Sequence, residues 1–119
     1  MKSIEELKHR LRAFARERDW EQFHSPKNLS MALIVETAEL VEHFQWLTER
    51  QSMELPPPTR RAVEQEMADV LIYLTRLADL LDVDLLAAAE QKMELNARKY
   101  PAEEVRGKAD KRKDIPKKL

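Results

Sequence analysis

The chain reads as an all-α protein, a four-helix bundle completed by oligomerisation, and three observations carry that reading. One residue in 119 is glycine and six are proline, too few hinges for a turn-rich β fold. Hydrophobic residues make up 43% and charged residues 36%, the mixture that amphipathic helices need. Apolar residues also recur at helical rather than alternating intervals. The length fits one domain, small enough to gain from association. The organisation expected is an all-α domain over residues 1–101 and a basic, flexible tail over residues 102–119.

The first helix begins near Ser3, where Ser3 and Glu6 have the spacing of a capping box. Ile4, Leu7, Leu11 and Phe14 form its stripe, and it fades near Trp20. Ser25 followed by Pro26 reads as an N-cap with proline in the first turn, so the second helix runs from there to about Leu47. A polar, proline-rich connection spans Thr48 to Pro58, and Pro56–Pro58 exclude a helix interior. The third helix starts near Pro58 or Thr59 and ends near Leu81, with the stripe Val63, Met67, Val70, Leu74, Leu77 and Leu81. Asp82 or Asp84 caps a fourth helix that reaches about Lys99, and Pro101 limits it.

The formal net charge of -1 gives no general affinity for nucleic acid. It hides an asymmetry, because residues 106–119 hold seven Lys or Arg against two Asp. That basic end could fold over an anionic substrate or touch another subunit, although a solvated end is the simpler reading. With no cysteine, disulfides and thiolate metal sites are excluded. No apolar run approaches the roughly 20 residues that span a bilayer, and the first 20 residues lack a signal-peptide core. A cytoplasmic protein without membrane or nucleic-acid partners is expected.

Two carboxylate pairs point to chemistry. Glu36 with Glu39, and Glu66 with Asp69, are each three residues apart, so each pair shares a helix face. Glu36 falls on the row Leu29, Leu33, Leu40, Leu47, and Glu66 lies between Val63 and Val70. Ionised groups beside a core are costly unless paired or metal-bound. A plainer account puts them at the stripe edges, salt-bridged to arginines, but the repeat of spacing and setting weakens it. An all-oxygen donor set suits Mg²⁺, Mn²⁺ or Ca²⁺. His43, four residues after Glu39, could face the same way but reads more simply as a surface or packing residue.

Aromatic residues bracket these pairs. Trp20, Phe23 and His24 precede the second helix, Phe44 and Trp46 lie near its end, and Tyr73 follows Asp69 by four. Such residues can stack a nucleobase and bond its edge, although Phe23 and Phe44 read more simply as core. Lys92, Asn96, Lys99 and Tyr100 follow roughly helical spacing, and cations there could meet phosphate oxygens.

The stretches RDWEQFHSPKNLSMALIVETAELVEHFQW, EQEMADVLIYL and KMELNARKYP resemble the MazG-like all-α NTP pyrophosphohydrolases, in particular the dCTP pyrophosphatase branch. The resemblance covers roughly residues 5 to 101. It implies Mg²⁺-dependent hydrolysis of a (deoxy)nucleoside triphosphate, dCTP or a related pyrimidine first, to monophosphate and pyrophosphate. It further implies Glu36, Glu39, Glu66 and Asp69 as metal ligands, and Trp20, His24, Trp46 and Tyr73 lining the nucleotide pocket. Lys92, Asn96 and Tyr100 are implied near the base or phosphates, and a dimer or tetramer with sites near subunit contacts. Val35 stands where the wider family carries a further acid; the dCTP branch also lacks that acid, so the change fits the branch and leaves one or two metals open. Two other readings stay in play: a non-catalytic helical interaction module, and a pyrophosphohydrolase for a modified nucleotide.

Overall fold

The computed structural model describes residues 1–109. Among the described residues there are six α-helices, one 3-10 turn and no strand. Helices α1 (Ile4–Glu17), α2 (Pro26–Glu42), α4 (Pro57–Leu80) and α5 (Leu85–Lys99) are the four expected from the sequence. The single-turn elements are the 3-10 turn Glu21–Phe23, α3 (Glu49–Met53) and α6 (Ala102–Val105). The stretch expected as a tail from Ala102 thus opens on a helical turn, and residues 110–119 lie outside the described residues. Among the described residues no helix is long and apolar enough to cross a membrane.

Caps set the boundaries. Ser3 Oγ accepts from the Glu6 N–H at 3.0 Å. Glu6 itself accepts from the Lys2 N–H at 2.9 Å, one residue before the expected partner, so the box is half formed. Ser25 accepts from the Asn28 N–H at 3.1 Å, with Pro26 in the first turn as expected. Asp84, not Asp82, caps α5, accepting from the Ala87 N–H at 3.0 Å. A complete capping box of Thr48 and Gln51 starts α3 inside the connection read as irregular.

Two helices stop the same way. Asp19 and Asp82 each have φ 54°, the left-handed conformation usually given to glycine. Trp20 N–H donates to the Ala15 carbonyl at 2.9 Å and Asp19 N–H to Arg16 at 3.1 Å. Val83 and Asp82 repeat the pattern on Ala78 and Asp79, at 2.8 and 3.2 Å. Helix α2 ends at Glu42, five residues before Leu47, as the chain tightens into turns through Phe44.

The described residues form two compact units, one over Met1–Val83 and one from Asp84 onward. In the first, α4 packs along α2 and against α1. His24 meets Arg76 near one end of the α2–α4 pair and His43 meets Glu66 near the other, so the two helices run antiparallel. The buried apolar residues are few: Leu7, Ala15, Leu29, Val63 and Ala78. Much of the apolar stripe is not covered, with Met31, Ile34, Val35 and Val41 on α2 all more than half exposed. Met67 and Leu74, read from the sequence as part of the inward stripe of α4, are 56% and 37% exposed.

With so small a core, each buried residue matters. Leu29 is 2% exposed, and Leu29→Ala should cost about 2–5 kcal/mol. Urea unfolding followed by circular dichroism checks this, and a midpoint equal to wild type would show that Leu29 is not a core residue.

Candidate active site

The α2–α4 interface gathers the carboxylates. Oxygens of Glu36, Glu39 and Glu66 lie within 4.8 Å of one another, and all three residues are half-buried. The Oε2 atoms of Glu36 and Glu66 are buried with no hydrogen-bond partner. An ionised oxygen left that way is unstable unless a proton or a cation occupies the gap. Burial, then Glu39, then the charges of Asp69 and Glu66 push Glu36 up to about 7. Burial and then Glu39 also raise Glu66, against the lowering effect of His43. His43 Nε2 stands 3.8 Å from Glu66 Oε1, beside the cluster and outside the group of three. The donor set is all oxygen, unsatisfied and acidic, which fits Mg²⁺ or Mn²⁺.

Asp69 is not in the tight group. It lines a neighbouring cavity of about 320 Å³ together with Leu11, Phe14, Ala15, Trp20, His24, Ile72, Tyr73 and Arg76. The cavity is mostly apolar and near the small end of ligand-site volumes. Acid cluster and cavity adjoin: burial raises the Tyr73 hydroxyl, and the charges of Glu36, Asp69 and Glu39 raise it further. Trp20 is fixed by an edge-to-face contact with Phe14, centroids 5.8 Å apart, and Arg18 caps the other partner ring at 3.5 Å.

The structure therefore brings together Trp20, His24, Tyr73 and Asp69 in one cavity, and Glu36, Glu39 and Glu66 beside it. Trp46 is not among the lining residues and is 87% exposed. Lys92, Asn96 and Tyr100 belong to the second compact unit, where Asn96 Oδ1 and the Tyr100 hydroxyl are buried without partners.

Sequence reasoning missed a polar chain behind His24. Arg12 grips Asp79 with two hydrogen bonds, Nε to Oδ2 at 2.6 Å and Nη2 to Oδ1. Arg76 donates Nη1 to Asp79 Oδ2 at 3.3 Å and Nε to His24 Nδ1 at 3.2 Å. The Arg12 bond holds Asp79 below the usual carboxylate range. Burial, then the Arg76 charge, lowers His24. The available signal was Arg76 itself, a cation inside the apolar stripe between Leu74 and Leu77.

The raised Glu36 has a consequence for stability. Folded protein keeps a proton that unfolded chain releases between its ordinary value of 4.5 and about 7. With divalent ions chelated, this group therefore favours folding less as pH rises through that window. His24 works in the opposite direction, so the readout is the difference between wild type and Glu36→Gln. The variant should gain in Tm relative to wild type between about pH 5 and pH 7.5. A constant difference would show that Glu36 carries an ordinary carboxyl.

A model of the MazG-like family matches residues 31–115. The chain is 45% identical over 117 residues to dCTP pyrophosphatase 1 of Mus musculus, covering 97% of this chain and 69% of that protein. To dCTP pyrophosphatase 1 of Homo sapiens it is 43% identical over 116 residues, covering 96% and 68%. The fold is similar to the crystal structure of a pyrophosphatase from Archaeoglobus fulgidus, with TM-score 0.77, 44% identity, and 82% and 91% of the two chains covered. By sequence and by fold, the chain belongs to the MazG-like family.

Proposed function

We propose that this nucleoside triphosphate pyrophosphohydrolase acts first on dCTP or a related pyrimidine deoxynucleotide, giving the monophosphate and pyrophosphate. The observation that carries this is the adjacency of an unsatisfied carboxylate cluster and an apolar, aromatic-walled cavity, with Asp69 lining the cavity and raising Glu36 across the boundary. The dCTP pyrophosphatases of mouse and human support the choice of base.

Glu36, Glu39, Glu66 and Asp69 would hold Mg²⁺ or Mn²⁺, which supplies charge neutralisation to a triphosphate whose hydrolysis depends on positioning and electrostatics. Trp20 and Tyr73 supply faces on which a base stacks, and His24 a polar edge. Glu39, which approaches both Glu36 and Glu66, is our choice to orient the attacking water. Attack at the α-phosphorus breaks the α–β anhydride bond, and pyrophosphate leaves with its electron pair.

The working form is a homo-oligomer, dimer or tetramer. Helix α2 presents apolar residues all round, with Ile34 65% and Val35 54% exposed. A helix of that kind is stable in water only when its outer face is also covered. Trp46, outside that cavity and 87% exposed, is assigned to the nucleotide pocket as completed by a second copy. Lys92, Asn96 and Tyr100 are the further residues we assign to base or phosphate binding.

Pyrophosphate release from a panel of NTPs and dNTPs, with Mg²⁺ or chelator and with product identification, tests the reading. Metal-dependent formation of monophosphate plus pyrophosphate, fastest with a pyrimidine deoxynucleotide, is expected. Glu36→Gln and Glu66→Gln should each lose at least about a hundredfold in kcat, while Trp46→Ala raises KM more than it lowers kcat. A folded protein silent across the panel would overturn the substrate assignment and turn attention to modified nucleotides.

A further inference from the structure

His24 sits at the end of the 3-10 turn, ahead of α2, and lines the cavity. What orients it is a chain of contacts reaching back to α1. Arg12 on α1 holds both oxygens of Asp79. Asp79 holds Arg76 one turn earlier on α4, and Arg76 donates to His24 Nδ1. The side chains of Arg76 and Asp79 are only 8% and 6% exposed, so both charges depend on this pairing.

The chemistry of the last link is restrictive. A guanidinium has donors only. Its Nε–H can meet His24 Nδ1 only if that nitrogen is unprotonated. A doubly protonated ring, or the tautomer with hydrogen on Nδ1, would set two N–H groups against each other. The ring hydrogen must therefore be on Nε2, the one remaining polar atom of a side chain that lines the cavity.

We propose that Arg76, held by Asp79 and Arg12, is a positioning residue that fixes His24 as a neutral Nε2–H donor toward the cavity, where it reads an acceptor on the nucleobase. The acceptor is a carbonyl oxygen or an unprotonated ring nitrogen, which a pyrimidine edge carries. The device selects bases by an obligatory donor: an edge presenting only N–H there leaves a partly buried N–H unmatched. The placement of the base rests on the function proposed above. The tautomer does not, because the contacts that set it lie wholly within the protein.

Histidine ¹⁵N–¹H correlation spectra of the nucleotide-free protein near neutral pH decide the tautomer, with His24→Gln assigning the signal among the three histidines. A single Nε2–H form in wild type is expected, and a mixture of tautomers in Arg12→Gln and Asp79→Asn. Hydrogen on Nδ1, or an averaged ring in wild type, overturns the proposal whatever the enzyme hydrolyses. With the fastest substrate, His24→Phe should raise KM about tenfold, the worth of one hydrogen bond, with kcat within about threefold. His24→Gln, which keeps an N–H, should recover part of that loss. Arg12 does not line the cavity, so a rise in KM in Arg12→Gln comes through the chain of contacts. Arg12 is the more exposed end, with 42% of its side chain open, so its variant should fold even if Asp79→Asn does not. Unchanged KM in both His24→Phe and Arg12→Gln overturns the proposal. Failure of wild type to hydrolyse any nucleotide would instead count against the proposed function, with the spectra still deciding the tautomer.

Discussion

Carboxylates repel, and helices α2 and α4 hold three of them within 4.8 Å in a half-buried interface. Two of their oxygens have no hydrogen-bond partner. Isolated helix propensity would never favour this arrangement, because each buried charge near another raises the cost of ionising the next. The protein meets that cost partly by retaining protons, as the upward displacement of Glu36 to about 7 shows. A divalent cation would meet it more completely, and would bring a triphosphate to the same place.

Helix α4 makes the rest of the first unit possible. Toward α2 it supplies Glu66 to the cluster, and Asp69 and Tyr73 to the cavity beside it. Near its C-terminal end Arg76 and Asp79 tie it to His24 and to Arg12 of α1. Both jobs depend on a 24-residue helix that keeps one register from Pro57 to Leu80. The exposed apolar residues of α2 mark what α4 and α1 leave uncovered, and few side chains of the described residues are fully buried.

Much of this was legible in the residues. Helical spacing located the four long helices, Ser25-Pro26 fixed one start through ordinary cap chemistry, and Asp84 was one of the two caps that the sequence offered for another. Glu36 interrupting a leucine row announced the acid cluster. The helix ends were harder, because Asp19 and Asp82 take a conformation for which glycine is the usual signal. Helix α3 was hidden by prolines that begin two residues after its cap, although Thr48 and Gln51 carried the box. Met67 and Leu74 were read as facing inward because periodicity gives a stripe its width and not the number of surfaces that cover it. Spacing also could not separate Asp69 from the other acids: a shared face does not say which neighbour each side chain turns to. The Arg12–Asp79–Arg76–His24 chain joins three elements distant in sequence, and no local pattern encodes such a network.

The claim on which the account turns is that the Glu36–Glu39–Glu66 cluster is a cation site that protons occupy in the cation's absence. Calorimetric titration of Mn²⁺ into the protein near pH 6.5, in two buffers of different ionisation enthalpy, addresses it directly. The account predicts saturable binding with release of roughly one proton, both lost in Glu36→Gln. Heats of dilution alone, or binding that releases no proton and survives the substitution, would contradict it.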